Sequence, residues 1–174
     1  MLLKEKIALQ IPAWRERVTK LVRESGDVKV GEVTIKQVYG GMRSVKGLVT
    51  DISYVDPSEG IRLRGFTIPE LLEKLPRLED TEIPLVGGLY YLLLSGELPT
   101  LEEALEVEKE WSLRAVVPAH VFNVLRAMPP QATAMTMFSQ AILALQTESE
   151  FAKKYDQGLQ KEDLWDPMFE DSMN

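Results

Sequence analysis

Gly60-Ile61-Arg62-Leu63-Arg64-Gly65-Phe66-Thr67-Ile68-Pro69-Glu70 is the stretch at which this chain changes character. Upstream lie short β-branched runs and turn residues, and downstream every periodic segment has helical spacing. Thr67 and Glu70 have capping-box spacing: the threonine accepts from the first turn, the glutamate reaches back, and Pro69 stands where a missing N–H costs nothing. Just upstream, Leu48 to Val55 and Ile61 to Leu63 flank Asp56-Pro57-Ser58-Glu59-Gly60, where proline presets φ and glycine permits the left-handed position. This predicts a hairpin. The fold class is therefore mainly α, a multi-helical array with a small N-terminal β-hairpin element.

Downstream, Leu85 to Leu94 is an apolar helix closed by Ser95-Gly96, and Thr100 with Glu103 repeats the capping box. Leu101, Ala104, Leu105, Trp111 and Ala115 form the stripe of the helix that follows, interrupted by Glu108. Pro118 opens a helix through Leu125, Pro129-Pro130 breaks it, and Ala132 to Gln146 follows. Glu150 to Gln160 reads as a short helix and Lys161 to Met173 as the beginning of another. At the other end, Leu3, Ile7, Ile11, Trp14, Val18, Leu21 and Val22 recur at helical spacing up to Glu24, with a bend or interruption expected near Pro12. Val28 to Val33 alternates and reads as a strand.

Ala132 to Gln146 carries no charge. Met135, Phe138, Ile142 and Leu145 occupy one face, and Ala134, Met137, Ala141 and Ala144 the opposite one. A helix without a charged face does not sit on a monomer surface, so it is either the centre of a large helical core or a subunit interface.

The 174 residues make one domain or part of one, and 45% hydrophobic with 27% charged residues is ordinary for a globular chain. A net charge of -7 argues against a broad nucleic-acid or anionic-membrane surface. Without cysteine there is no disulfide framework, zinc knuckle or thiol nucleophile, so the chain reads as intracellular. Met1-Leu2-Leu3-Lys4-Glu5-Lys6 lacks the apolar core of a secretory signal and looks like a mature N-terminus. The uncharged run between Arg126 and Glu148 is too rich in proline, threonine and glutamine for a membrane span.

Catalytic constellations are missing. His120, the sole histidine, has no orienting partner nearby in sequence and reads as structural. No histidine or carboxylate spacing suggests a metal site. Glu102, Glu103, Glu106, Glu108 and Glu110 read as a solvated face, and Ser139 and Ser149 lack a nucleophile-elbow context. In Tyr39-Gly40-Gly41-Met42-Arg43 two glycines allow positive φ and a close backbone approach, and Arg43 is a planar donor. It is either a helix-terminal arginine paired with a surface carboxylate or the donor of an anion site. Arg62 and Arg64 share a face of a short strand and read as ion-pair residues.

Tyr39-Gly-Gly-Met-Arg43, Lys46-Gly-Leu-Val49, Glu59-Gly-Ile-Arg62, Arg64-Gly-Phe-Thr-Ile-Pro-Glu70, Lys109-Glu110-Trp111 and Glu170-Asp171-Ser172 together resemble citrate synthase of the mitochondrial type. The likeness runs through essentially the whole chain without needing a gap. It implies a mainly helical fold of large and small domains, and condensation of acetyl-CoA with oxaloacetate to citrate and CoA in the tricarboxylic acid cycle. CoA and acetyl-CoA are substrate; no cofactor is held permanently. The family's aspartate base and two histidines lie in the C-terminal part of its sequence, so residues 1–174 are expected to be the N-terminal part of the large domain. Small domain and catalytic segments are absent on this reading, and the portion is expected to be inactive alone.

By the same resemblance Arg43 matches an arginine that contacts a CoA phosphate. Lys161 matches a position where an arginine of the neighbouring subunit often meets the CoA nucleotide, and lysine keeps the charge without the fork. A homodimer through the helices around 118–147 is implied, with acetyl-CoA and oxaloacetate as small-molecule partners and neither nucleic acid nor membrane. Where the family commonly has His-Pro-Met, this chain has Thr133-Ala134-Met135. A start lying where mature mitochondrial forms begin favours a bacterial cytoplasm, with the mitochondrial matrix expected for a eukaryotic source. Two alternatives stand beside the main reading: a non-catalytic dimerisation or CoA-binding module, and a 2-methylcitrate synthase using propionyl-CoA.

Overall fold

A computed structural model describes residues 2–45 and 47–174; Met1 and Lys46, both quoted above, lie outside the described residues. The chain falls into two compact units, Met1–Val107 and Glu108–Asn174.

The first unit opens with helix α1 (Leu2–Ser25), which runs through Pro12 without interruption, contrary to the expected break. A single lost N–H is carried by the turns on either side. Only Leu3 of its apolar stripe is buried, and Trp14, Val18, Leu21 and Val22 are exposed. Helix α2 (Ile35–Tyr39) follows, an element the sequence reading did not separate out. The strand expected at Val28 to Val33 does not form; Val28, Val30 and Val33 are exposed, and Val28 N–H donates back to the Ser25 carbonyl at 3.1 Å. Alternation alone makes no strand where no partner edge is at hand.

The hairpin forms as read, but later in the chain: β1 (Ser53–Asp56) pairs antiparallel with β2 (Gly60–Leu63), Asp56 opposite Gly60. Its turn is an Asx turn, Asp56 Oδ1 accepting the N–H groups of Ser58 at 2.8 Å and Glu59 at 2.9 Å. Leu48 to Ile52 stays outside the strand. A two-residue strand β3 (Phe66–Thr67) completes a three-stranded antiparallel sheet in the order β1-β2-β3.

Helix α3 (Ile68–Lys74) starts at the expected box, with Thr67 N–H on Glu70 Oε2 at 2.7 Å and Glu70 N–H on Thr67 Oγ1 at 3.4 Å. Helix α4 (Val86–Ser95) ends on Gly96, whose φ of 77° is the left-handed cap only glycine adopts freely. Helix α5 (Leu101–Arg114) repeats the box through Thr100 and Glu103. Leu71, Leu75 and Leu92 form the core between α3 and α4, with Leu63, Phe66 and Leu89 packed against it. A Cβ on Gly88 would lie 3.4 Å from Pro76 and 3.5 Å from the Ala104 methyl, ordinary van der Waals contact, so α4 packs against both without glycine being required there.

In the second unit, α6 (Ala119–Ala127) packs on α7 (Ala134–Ala144), which runs into a 3-10 turn over Leu145–Glu148. Helix α8 (Glu150–Asp156), a 3-10 turn over Lys161–Asp163 and helix α9 (Trp165–Met173) complete it. Val121, Pro167, Phe169 and Met173 are buried there. Met137, Ala141 and Ala144 of α7 are half-buried, whereas Met135 at 70% and Phe138 at 60% exposure leave the opposite face open. The alanine face is thus the inner one.

Candidate functional site

The Arg43 loop is built from α2 outward. Five residues make too short a helix to persist on propensity, and α2 is capped at both ends. Thr34 and Gln37 form a reciprocal capping box: Thr34 N–H donates to Gln37 Oε1 at 2.9 Å, and Gln37 N–H to Thr34 Oγ1 at 3.3 Å. At the other end Met42 N–H donates to the Gln37 carbonyl at 2.8 Å and Gly41 N–H to the Val38 carbonyl at 3.4 Å. That pair of bonds is the Schellman pattern.

The two glycines do different work. Gly41 takes the left-handed position, φ 77°. Gly40 keeps φ at -82°, but a Cβ there would stand 2.9 Å from the Lys36 carbonyl oxygen, closer than side chains tolerate. Beyond them Met42 and Ser44 also have positive φ, 60° and 62°. Non-glycine residues in that region cost of order 1–3 kcal/mol each. Arg43 sits between the two, exposed, and its guanidinium has no hydrogen-bond or ion-pair partner among the described residues. Among the described residues, the surface ion pair that is the other reading of this arginine is not formed.

Lys161 is the first residue of the 3-10 turn Lys161–Asp163, exposed and likewise without a partner among the described residues. Arg43 belongs to the first unit and Lys161 to the second.

The other candidates have structural jobs. His120 Nε2 lies 2.9 Å from the Ala144 carbonyl oxygen, so that nitrogen carries the proton and ties α6 to the end of α7. Ser139 donates back to the Met135 carbonyl at 2.9 Å. Ser149 donates to Asp171 Oδ2 at 2.5 Å and accepts Ala152 N–H at 3.0 Å, so its hydroxyl proton is committed to the carboxylate. Arg62 bonds Glu59 Oε2 at 2.8 Å and the Gly65 carbonyl at 3.2 Å.

A cavity of about 590 Å³ opens in the second unit, lined among others by Arg114, Pro118, Ile142, Leu145, Ser149 and Asp171. Its arginine is held by Glu170 at 2.7 Å and Glu110 at 3.3 Å, and its aspartate takes the Ser149 hydroxyl and two backbone N–H groups. Charges so paired have little left to offer a ligand. Among the described residues no histidine and carboxylate cluster could hold a metal ion, and no helix is long and apolar enough to cross a membrane.

Lys6, Tyr91 and Glu103, each shifted from its ordinary titration, meet at one junction of the first unit. Tyr91, 1% exposed, donates to Glu103 Oε1 at 2.5 Å and accepts from Lys6 Nζ at 3.0 Å, while Lys6 also pairs with Glu97 at 2.6 Å. Glu97 and the Tyr91 hydroxyl raise the Lys6 ammonium well above its usual range. Burial alone pushes the Glu103 carboxyl up, but hydrogen bonds from Tyr91 and Thr100 outweigh it and hold it below 4.5. Every member is satisfied, which is the mark of a structural joint between α1, α4 and α5 rather than a reactive centre.

Comparison with known proteins decides the family. The model of the family "Citrate synthase, C-terminal domain" matches residues 41–170. The chain belongs to the citrate synthase family. Curated members align over nearly all of it: "Probable citrate synthase, mitochondrial" of Glossina morsitans morsitans and "Citrate synthase, mitochondrial" of Xiphias gladius are each 44% identical over 172 residues. Each alignment takes in 99% of this chain and 37% of the relative. "2-methylcitrate synthase, mitochondrial" of Yarrowia lipolytica is also 44% identical over the same length. The chain therefore spans a little over a third of the length of the curated relatives it matches. Both Arg43 and Lys161 fall inside the stretch matched by the family model.

Proposed function

We propose that this chain is the N-terminal part of the large domain of a citrate synthase, supplying scaffold, dimer interface and part of the CoA site. The enzyme it serves condenses acetyl-CoA with oxaloacetate to give citrate and CoA. The groups that enolise the acetyl methyl and polarise the oxaloacetate carbonyl belong to sequence this chain does not contain. By itself the chain is inactive.

One observation carries the CoA assignment: Arg43 has no partner among the described residues and stands on a loop whose backbone is held in costly conformations by a doubly capped turn. Strain of that kind persists where the surroundings over-determine it, and it gathers at ligand sites. A guanidinium with all its donors open suits a phosphate. Lys161 adds a second open cation from a neighbouring copy. Titration of coenzyme A and of adenosine into the chain tests the reading. Binding of coenzyme A with no binding of adenosine is expected; equal binding of both overturns the phosphate role.

The dimer face rests on α7, which is uncharged and keeps Met135, Phe138 and Ile142 exposed. Apolar surface of this kind marks an interaction site. Propionyl-CoA is a second acyl substrate to consider, because a 2-methylcitrate synthase stands among the relatives at 44% identity. Comparing acetyl-CoA and propionyl-CoA turnover in an enzyme carrying this segment chooses between them. The relatives' names are mitochondrial, which supports a mitochondrial matrix location over a bacterial cytoplasm.

A further inference from the structure

Gln37 serves both ends of α2. Its side-chain oxygen accepts Thr34 N–H at 2.9 Å and so fixes the start of the helix. Its main-chain oxygen accepts Met42 N–H at 2.8 Å and so turns the chain back at the end. Arg43 is the next residue, and Val45 N–H closes the loop on the Met42 carbonyl at 3.1 Å. The backbone that carries Arg43 therefore hangs from a residue whose own conformation is set at the opposite end of the helix.

We propose that Gln37, locked by Thr34, is a positioning residue for anion binding by Arg43. The inference rests on the reading of Arg43 as a phosphate donor given above, and adds what holds it ready. A helix this short is marginal without its caps. Losing the Thr34–Gln37 box lets α2 fray, frees the Gln37 carbonyl from its place, and releases Met42 and Ser44 from their left-handed conformations toward cheaper ones. Only the ordered fraction binds, so the apparent dissociation constant rises as that fraction falls. The capping box lies apart from the Leu71, Leu75 and Leu92 core, so the melting transition of the unit is expected to stay in place.

The test is titration of coenzyme A into the whole chain and four variants, followed by NMR or calorimetry. Arg43→Ala is expected to abolish detectable binding. Thr34→Ala and Gln37→Ala, each removing one half of the box, are expected to weaken binding about fivefold, the effect of a lost helix cap. Thr34→Ser keeps the hydroxyl and is expected to bind as the parent does. If the parent fails to bind, or Arg43→Ala binds as well as the parent, the Arg43 reading falls and takes this one with it. If Arg43→Ala loses binding while Thr34→Ala and Gln37→Ala keep it, only the positioning role of Gln37 falls. Equal weakening by Thr34→Ser and Thr34→Ala also overturns that role, because the hydroxyl is then irrelevant. Should Gln37→Ala lose its melting transition, the Thr34 pair decides alone.

Discussion

Arg64 donates to the carbonyl oxygen of Leu93 through both Nε, at 3.0 Å, and Nη2, at 2.6 Å. Leu93 lies in the last turn of α4, where carbonyls lack helical partners and a cation is favoured. The same guanidinium pairs with Asp51 at 3.2 Å, and the Arg64 N–H donates to the Ile52 carbonyl at 2.7 Å. One side chain thus ties the sheet to the end of α4. Arg64→Ala is expected to destabilise the first unit by about 2 kcal/mol, the value of a hydrogen bond to a charged group in a part-buried site. Denaturant unfolding checks it. Arg64→Gly, which also relieves the positive φ of 48°, is expected to cost less than Arg64→Ala.

Acid is expected to loosen the joint of Lys6, Tyr91 and Glu103. Glu103 titrates lower in the folded chain than its ordinary 4.5. Its contribution is complete above that value and is lost as pH falls through the lower folded one. Lys6 and Tyr91 are raised, Lys6 chiefly by Glu97 and Tyr91 chiefly by burial. Their contribution is complete below about 10 and fades in alkali as pH climbs through the folded values. Melting temperature is therefore expected to be flat near neutrality and to fall at both ends. In Glu103→Gln the acid fall should be shallower and the neutral plateau lower. An unchanged acid limb would remove Glu103 from this role.

The start of α8 depends on a distant carboxylate. Asp171, on α9, accepts the Ser149 hydroxyl at 2.5 Å, Glu150 N–H at 2.7 Å and Phe151 N–H at 3.2 Å. A negative charge at a helix N-terminus is favourable, and the N–H groups it serves are otherwise unpartnered. Asp171→Ala is expected to cost roughly 2 kcal/mol and to speed hydrogen exchange at Glu150 and Phe151. Exchange that stays slow at both amides would show that α8 does not need this cap.

Self-association is expected through α7. Phe138 is 60% exposed on the face opposite Met137, Ala141 and Ala144. Phe138→Glu puts a charge on that face without touching the α6 contact. Light scattering at high concentration is expected to show the parent as a dimer or larger and this variant as a monomer of similar melting temperature. A strictly monomeric parent contradicts the interface.

Helices were legible in this sequence wherever their signals were local. Thr67 with Glu70 and Thr100 with Glu103 announce their caps within one turn, and both form. Thr34 with Gln37 has the same spacing, yet α2 is too short to show an apolar stripe, and the Val28 to Val33 run before it alternates as a strand does. That strand fails because pairing is decided by a partner edge that no local pattern reveals. Arg64 looked like an ion-pair residue, and its larger task lies 29 residues away in α4. At the candidate site the pair Gly40-Gly41 pointed to a tight turn, and the structure assigns positive φ to one and close approach to the other. The left-handed Met42 and Ser44 carry no sequence signal, because their conformation follows from how the loop closes. Which face of the Ala132 to Gln146 helix turns inward has no local signal either, and burial decides it, with Met137, Ala141 and Ala144 half-buried while Met135 and Phe138 are exposed.

The most direct trial of the account is an assay of purified 174-residue chain for citrate formation from acetyl-CoA and oxaloacetate. No turnover above the uncatalysed background is expected, since the bond-making groups are assigned to sequence outside it. Citrate released at an enzymatic rate by this chain alone would contradict that assignment.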